Sequence, residues 1–250
     1  MWIVSDVHGA TAALRVASSQ LRPLLVLGDL INFIDYRTND GIVAEISGRD
    51  FTEEMVRLRT AGDLGAARAL WREFSEGREK ELRARYDEHI DRAYADVCSG
   101  LVGADAYVTY GNVDRPELLQ SHLPSGVRFV DAEVVEIEGT RVGFAGGGLV
   151  SIGTPGEVTE DVMADKLDRL GKVDVLCTHV PPAIDALATD VIARTTKGSR
   201  AVLEYLAAAQ PAFHYFGDIH QPRASHWRHG PTMCINAGYF RATGRAVRHG

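Results

Sequence analysis

Hydrophobic positions in this chain gather into short unbroken runs, and a polar cluster closes each run. Trp2-Ile3-Val4 leads to Asp6-Val7-His8, Leu24-Leu25-Val26-Leu27 to Gly28-Asp29, and Ala106-Tyr107-Val108 to Gly111-Asn112-Val113-Asp114. Val173-Asp174-Val175-Leu176-Cys177 leads to Thr178-His179, and Phe213-His214-Tyr215-Phe216 to Gly217-Asp218-Ile219-His220. Runs of this length, rich in β-branched and aromatic residues and stopped by Gly or Asp, predict buried parallel strands. Ligands of open α/β sheets bind at the carboxyl ends of such strands. Five strand ends bearing Asp, Asn and His can therefore converge on one polar centre, and those residue types point to a metal site.

Between the runs the texture is helical or hairpin-like. Residues 10 to 21 predict a helix, and Pro23 opens the second strand, so Asp29 is expected beside Asp6 in a parallel sheet. From about residue 45 to 100 the pattern changes to a helical insertion. Glu79 with Arg83, Glu81 with Arg85 and Glu88 with Arg92 are spaced as acid-to-base pairs four apart. Leu82, Tyr86, Ile90 and Tyr94 draw one narrow apolar line, extended by Trp71, Phe74 and Val97. Gly62 and Gly65 mark a break, predicting a helical hairpin or a short helix followed by a long one. Such an element can cover one flank of the core, cap the site, or offer its stripe to a second copy. Residues 127 to 145 predict strands with a turn at Gly139. Gly146-Gly147-Gly148 reads as a tight turn near the site, since it lacks the spacing and Lys of a P-loop. Helices over 158 to 170 and 198 to 209 lead into the last two strands of the set. The fold class is α/β, a mixed sandwich in one domain.

The order and spacing of the five clusters resemble the calcineurin-like metallophosphoesterases, whose pattern runs D-x-H, G-D, G-N-H-D, a lone His, then G-H-x-H. The likeness extends from Asp6 to His220, interrupted by the insertion. It implies two β-sheets packed face to face with helices outside. It also implies a pair of divalent cations, Mn foremost, with Fe, Zn, Ni or Mg as alternatives. Asp6, His8, Asp29 and His220 would hold the first. Asp29, Asn112, His179 and the residue at 218 would hold the second. The side chains support this: Asp6 and His8, two apart on an extended chain, point the same way, and a carboxylate at Asp29 can bridge two cations. Taken singly, Asp6 or Asp29 would read as a helix cap and His179 as a packed loop histidine.

Two departures from the pattern stand out. Val113 occupies the place of the histidine that protonates or stabilises the leaving group, which Asp114 would orient. General-acid help is worth about 10²–10⁴-fold, so its loss predicts a preference for activated esters. Arg115 or His226 could supply a substitute contact to substrate. Asp218 occupies the place of the first His of G-H-x-H. It would ligate a hard ion, fall short of it, or accept a hydrogen bond from a ligand histidine. His89, His122, His214 and His249 read as solvated or packed side chains.

Composition narrows the function further. With 250 residues, 45% hydrophobic and 24% charged, the chain has a globular balance. A net charge of −7 lacks the basic footprint of a nucleic-acid binder. Three cysteines with no C-x-x-C spacing favour a reducing compartment, here the cytoplasm, and no apolar stretch nears the roughly 20 residues of a membrane span. The expected activity is hydrolysis of a small phosphoric ester by a hydroxide generated at a dinuclear centre. The alternative is a phosphoesterase-like scaffold that has lost turnover and binds proteins.

Overall fold

A computed structural model describes residues 1–151 and 153–250. In chain order, β1 (Trp2–Val4), α1 (Thr11–Gln20) and β2 (Leu24–Leu27) form the expected strand–helix–strand start. Then come α2 (Ile42–Ser47), α3 (Arg49–Thr60), α4 (Leu64–Ser75), α5 (Glu79–Ser99), β3 (Ala106–Thr109), α6 (Pro116–His122) and β4 (Val127–Phe129). The hairpin of β5 (Glu133–Ile137) and β6 (Thr140–Ala145) is followed by β7 (Gly148–Leu149), β8 (Glu157–Val158), α7 (Glu160–Leu170) and β9 (Val175–Thr178). Next are α8 (Asp185–Ala188), β10 (Thr189–Asp190), β11 (Thr195–Thr196), α9 (Arg200–Ala209) and β12 (Phe213–Phe216). The last elements are β13 (His226–His229), β14 (Thr232–Asn236), α10 (Phe240–Thr243) and β15 (Val247–Arg248).

Two mixed sheets result. One runs β15-β1-β2-β3-β4 and the other β13-β14-β12-β9-β6-β5. Their interior strands pair in parallel, while β15, β13 and β5 are antiparallel edges. Alternation along each strand sets the layers. Ile3, Leu25 and Leu27 face Val142, Phe144, Val175, Cys177 and Tyr215 in the core between the sheets. Val4, Leu24 and Val26 face outward against α1 and α5. Leu176 and Phe216 face outward against α7 and α9. Gly143 lets this second layer sit close, since a Cβ there would press on the Leu170 and Val173 side chains at 3.0 Å.

The insertion departs from the sequence expectation in number of helices. It forms four, α2 to α5, rather than two. Gly62 and Gly77, both at positive φ, separate α3 from α4 and α4 from α5. Gly65 breaks nothing: the Asp63 side chain accepts the Ala66 N–H at 2.9 Å, so α4 begins before it. The apolar line is real and is already covered. Leu82, Tyr86, Ile90, Tyr94 and Val97 are buried in the same core cluster as Val4, Val26 and Leu30. Phe51, Trp71 and Phe74 pack beside it in edge-on and tilted contacts, with Phe51 and Phe74 centroids 4.6 Å apart. The stripe thus joins the helices to the outer face of the first sheet, leaving it unavailable to a partner helix. Outside it lie exposed pairs, Glu88 with Arg92 at 2.7 Å and Glu81 with Arg85 at 3.9 Å.

Candidate metal centre

The carboxyl ends of β1, β2, β3, β9 and β12 meet where the two sheets abut. Asp6, His8, Asp29 and Asp218 all sit at left-handed φ, +57°, +41°, +52° and +64° respectively. Non-glycine residues reach that region at a cost, and such strain collects at functional sites. It changes one expectation: Asp6 and His8 point together through a tight turn beyond β1, not through an extended chain. Two glycines clear the space. A Cβ on Gly111 would collide with Asp29 Oδ1 and the His179 ring, and one on Gly217 with Ser5 Oγ and Asp6 Oδ2.

Asp6, His8 and His220 form one group of candidate ligands, and Asp6, Asp29 and His179 a second. Within each, the ligand atoms lie within 4.8 Å of one another. His8 Nε2 is 3.8 Å from Asp6 Oδ1, 3.7 Å from Asp29 Oδ2 and 3.3 Å from His220 Nε2. His220 Nε2 is 3.3 Å from Asp6 Oδ1. On the other side, His179 Nε2 is 3.5 Å from Asp29 Oδ1 and 3.2 Å from Asn112 Oδ1. Asp29 thus turns one oxygen toward each side, as a bridging carboxylate requires. Six of the seven candidate ligands come together.

Hydrogen bonds at the far edge of two rings fix their tautomers. His8 Nδ1 lies 3.2 Å from the Ile31 carbonyl, and His179 Nδ1 2.8 Å from the Leu27 carbonyl. A carbonyl only accepts, so each Nδ1 carries its proton and each Nε2 turns a lone pair inward. There the lone pairs face the Asp29 carboxylate, the Asn112 amide oxygen and the His220 ring. Asp6 Oδ1 is buried there without a hydrogen bond. A cluster of inward acceptors needs positive charge among them. Titration expresses the same demand. Burial works to depress His179, but the charges of Asp29, Asp6 and Asp218 overcome it and hold the ring up to about 9. Burial likewise opposes His220, which contact with Asp6 raises, and burial lowers His8. For Asp6, burial pulls upward, yet the surrounding imidazoles bring it well below the usual carboxylate range. These donors fit a divalent cation: oxygen and imidazole nitrogen, oriented from behind by backbone carbonyls.

Asp218 stands apart from both groups. Its carboxylate lies 3.4 Å from Lys197 Nζ, and its N–H donates to Asp6 Oδ2 at 3.2 Å. With Val113 in the histidine's place, Asp114 turns to the backbone instead. Fully buried, it accepts the N–H groups of Asp29 at 2.8 Å, Leu30 at 3.1 Å and Gly111 at 2.9 Å, with the Tyr94 hydroxyl at 3.2 Å. It fastens the loop after β2 to the loop after β3. Burial and the Asp29 charge push its pKa to about 7, against those N–H donors. Val113 contributes its backbone, donating to Asp29 Oδ1 at 3.1 Å. The two substrate candidates are engaged elsewhere: Arg115 pairs with Asp87 of α5 at 2.7 Å, and exposed His226 on β13 bonds Ser225.

Sequence reasoning missed the outer layer. The Tyr239 ring stacks on His220 with centroids 3.9 Å apart and meets His8 edge-on at 5.8 Å. Its hydroxyl donates to Asp35 at 2.7 Å, and Asp35 is ion-paired with Arg241, which also donates to the His8 carbonyl. The signal was present. Met233-Cys234-Ile235 closed by Asn236-Ala237-Gly238 is a sixth apolar run with a polar stop, and Tyr239 follows it.

No family model matches this chain, and no curated protein matches it significantly. Solved structures do. One aligns over 96% of this chain and 90% of its own at a TM-score of 0.62 and 14% identity. Another, TT1561 of Thermus thermophilus, aligns over 98% of this chain and 96% of its own at 0.53 and 11% identity. The likeness is one of fold. No helix among the described residues is long and apolar enough to cross a membrane.

Proposed function

We propose that this protein is a metal-dependent phosphoric ester hydrolase of the calcineurin-like metallophosphoesterase kind. One observation carries the reading: the imidazoles at 8, 179 and 220 share a small acceptor-lined space with the carboxylates at 6 and 29. Asp6, His8, Asp29 and His220 would hold one divalent cation, with Asn112 and His179 joining Asp29 around a second. Such ions, when bound, polarise the phosphoryl oxygens and lower the pKa of a water nucleophile. The chain's own residues supply the rest. Asp29 joins the two sides, backbone carbonyls at 27 and 31 set the rings, and Asp114 fixes the loops that carry Asp29 and Asn112. Val113 offers no proton to a leaving group, so activated aryl diesters should outpace alkyl monoesters.

The test is hydrolysis of an activated aryl phosphodiester by Mn²⁺-loaded protein. Parent protein should turn over and Asp29→Ala should fall by at least about 10³-fold, since it removes the shared carboxylate that positions both sides. Normal turnover by the variant would refute the assignment. The Lys197–Asp218 ion pair and the aliphatic Val113 favour the scaffold as a second reading. A scaffold would retain little transition metal on purification and hydrolyse nothing when metal is added.

A further inference from the structure

The centre is strongly anionic for a site that must admit an anion. Asp6, Asp29 and Asp114 are buried around it, and Asp218 stands at its edge. Several basic side chains near it are committed to structure. Arg241 is held by Asp35, Asp40 and the His8 carbonyl. Buried Lys166 is enclosed by the Tyr110 hydroxyl at 2.5 Å, Asp131 and the Gly146 carbonyl. Arg115 is paired with Asp87.

Lys197 differs from these. Its ammonium contacts Asp218 at 3.4 Å, while its side chain keeps 35% of its surface open and that of Asp218 only 4%. It therefore sits between solvent and a buried carboxylate whose residue shares a short loop with His220. The backbone beneath the lysine is anchored. Lys197 N–H donates to the Ala188 carbonyl at 2.8 Å, closing the β10–β11 hairpin. That hairpin is fastened to the loop bearing Asp218 and His220: Val191 N–H donates to the Gln221 carbonyl, and Gln221 N–H to Asp190 Oδ2. Asp190 Oδ1 also accepts the Ile192 and Ala193 N–H groups, which stiffens the turn. A lysine so placed is a point charge with donors left over, suited to a phosphate oxygen.

We propose that Lys197 is a catalytic residue that donates a hydrogen bond to a phosphoryl oxygen of the substrate, resting on the hydrolytic reading above. Asp218 orients the ammonium from below. The ammonium keeps its proton throughout. An attacking water gives up a proton to solvent as its oxygen bonds phosphorus, the P–O ester bond breaks with its electron pair on the leaving oxygen, and that oxygen takes a proton back from solvent.

The test compares parent, Lys197→Met and Lys197→Arg, each full length and loaded with Mn²⁺. Three quantities are read: metal content, the dissociation constant for inorganic phosphate by calorimetry, and turnover of aryl phosphodiesters of graded leaving-group pKa. K197M should keep the parent's metal content, bind phosphate about tenfold or more weakly and lose about 10²-fold in kcat. K197R should recover most of both. Phosphate binding and turnover unchanged in K197M would overturn the proposal, as would loss of metal from K197M, which marks a structural role. Lys197-dependent phosphate binding in a parent that hydrolyses no ester would uphold the contact and remove the hydrolytic reading instead.

Discussion

His214 shows how much one buried side chain can impose on this fold. The Thr178 hydroxyl donates to the Val180 carbonyl at 2.6 Å, so it can only accept from His214 Nε2 at 2.8 Å. The proton is then on Nε2, and Nδ1 is buried without a partner. A second proton would have nothing to bond, and burial alone holds the pKa down to about 3. The ring is neutral in the folded chain and ordinary in the unfolded one. Its contribution is therefore complete above the unfolded value near 6.5 and shrinks as pH falls towards 3. Between pH 7 and pH 5 the parent should lose about 2 kcal/mol relative to His214→Phe in denaturant unfolding. Parallel pH curves for the two proteins would contradict this.

At the scale of elements, the site depends on how the loops after β2 and β3 are tied together. Asp114 alone satisfies three backbone N–H groups at this junction. Removing it strands those donors in a sealed interior, where each unsatisfied group costs about 1–3 kcal/mol. Asp114→Ala should accordingly destabilise the protein by at least about 3 kcal/mol in urea unfolding. A loss under about 1 kcal/mol would show that water or relaxation replaces it. That role was illegible in the sequence, where Asp114 read as the partner of a catalytic side chain. A strand end announces a polar residue, not the direction in which it turns. Asp6, His8, Asp29, Asn112, His179 and His220 were legible because each closes an apolar run, and runs of that kind end on one side of a sheet. Arg115, His226 and Asp218 were harder to place. Arg115 and Asp218 take their partners from tertiary neighbours, here Asp87 and Lys197, and His226 meets only the adjacent Ser225 on an exposed strand. Tyr239 escaped because its contribution is a stacked ring rather than a ligand atom.

Across the whole molecule, the two sheets bring strand ends far apart in sequence to one edge, and the insertion packs on the sheet that carries three of those five ends. The α/β sandwich followed from alternation and from the polar stops. The four-helix form of the insertion did not, since Gly62 and Gly77 act through positive φ while Gly65 lies harmlessly in a first turn. Ile90, 2% exposed in the outer core, is the sensitive point of that packing. Ile90→Ala should cost about 2–5 kcal/mol by calorimetric unfolding, with no change in the oligomeric state by sedimentation. Stability equal to the parent, or dissociation of an assembly, would place the stripe at an interface instead of in this core.

Everything proposed for this centre requires the inward nitrogens of His8, His179 and His220 to surround bound cations. Anomalous diffraction from a crystal soaked in Zn²⁺, recorded on both sides of the zinc edge, tests it most directly. Peaks should appear about 2.0–2.1 Å from those nitrogens, on both sides of the Asp29 carboxylate. A map with no peak there, under conditions that load zinc elsewhere, would contradict it.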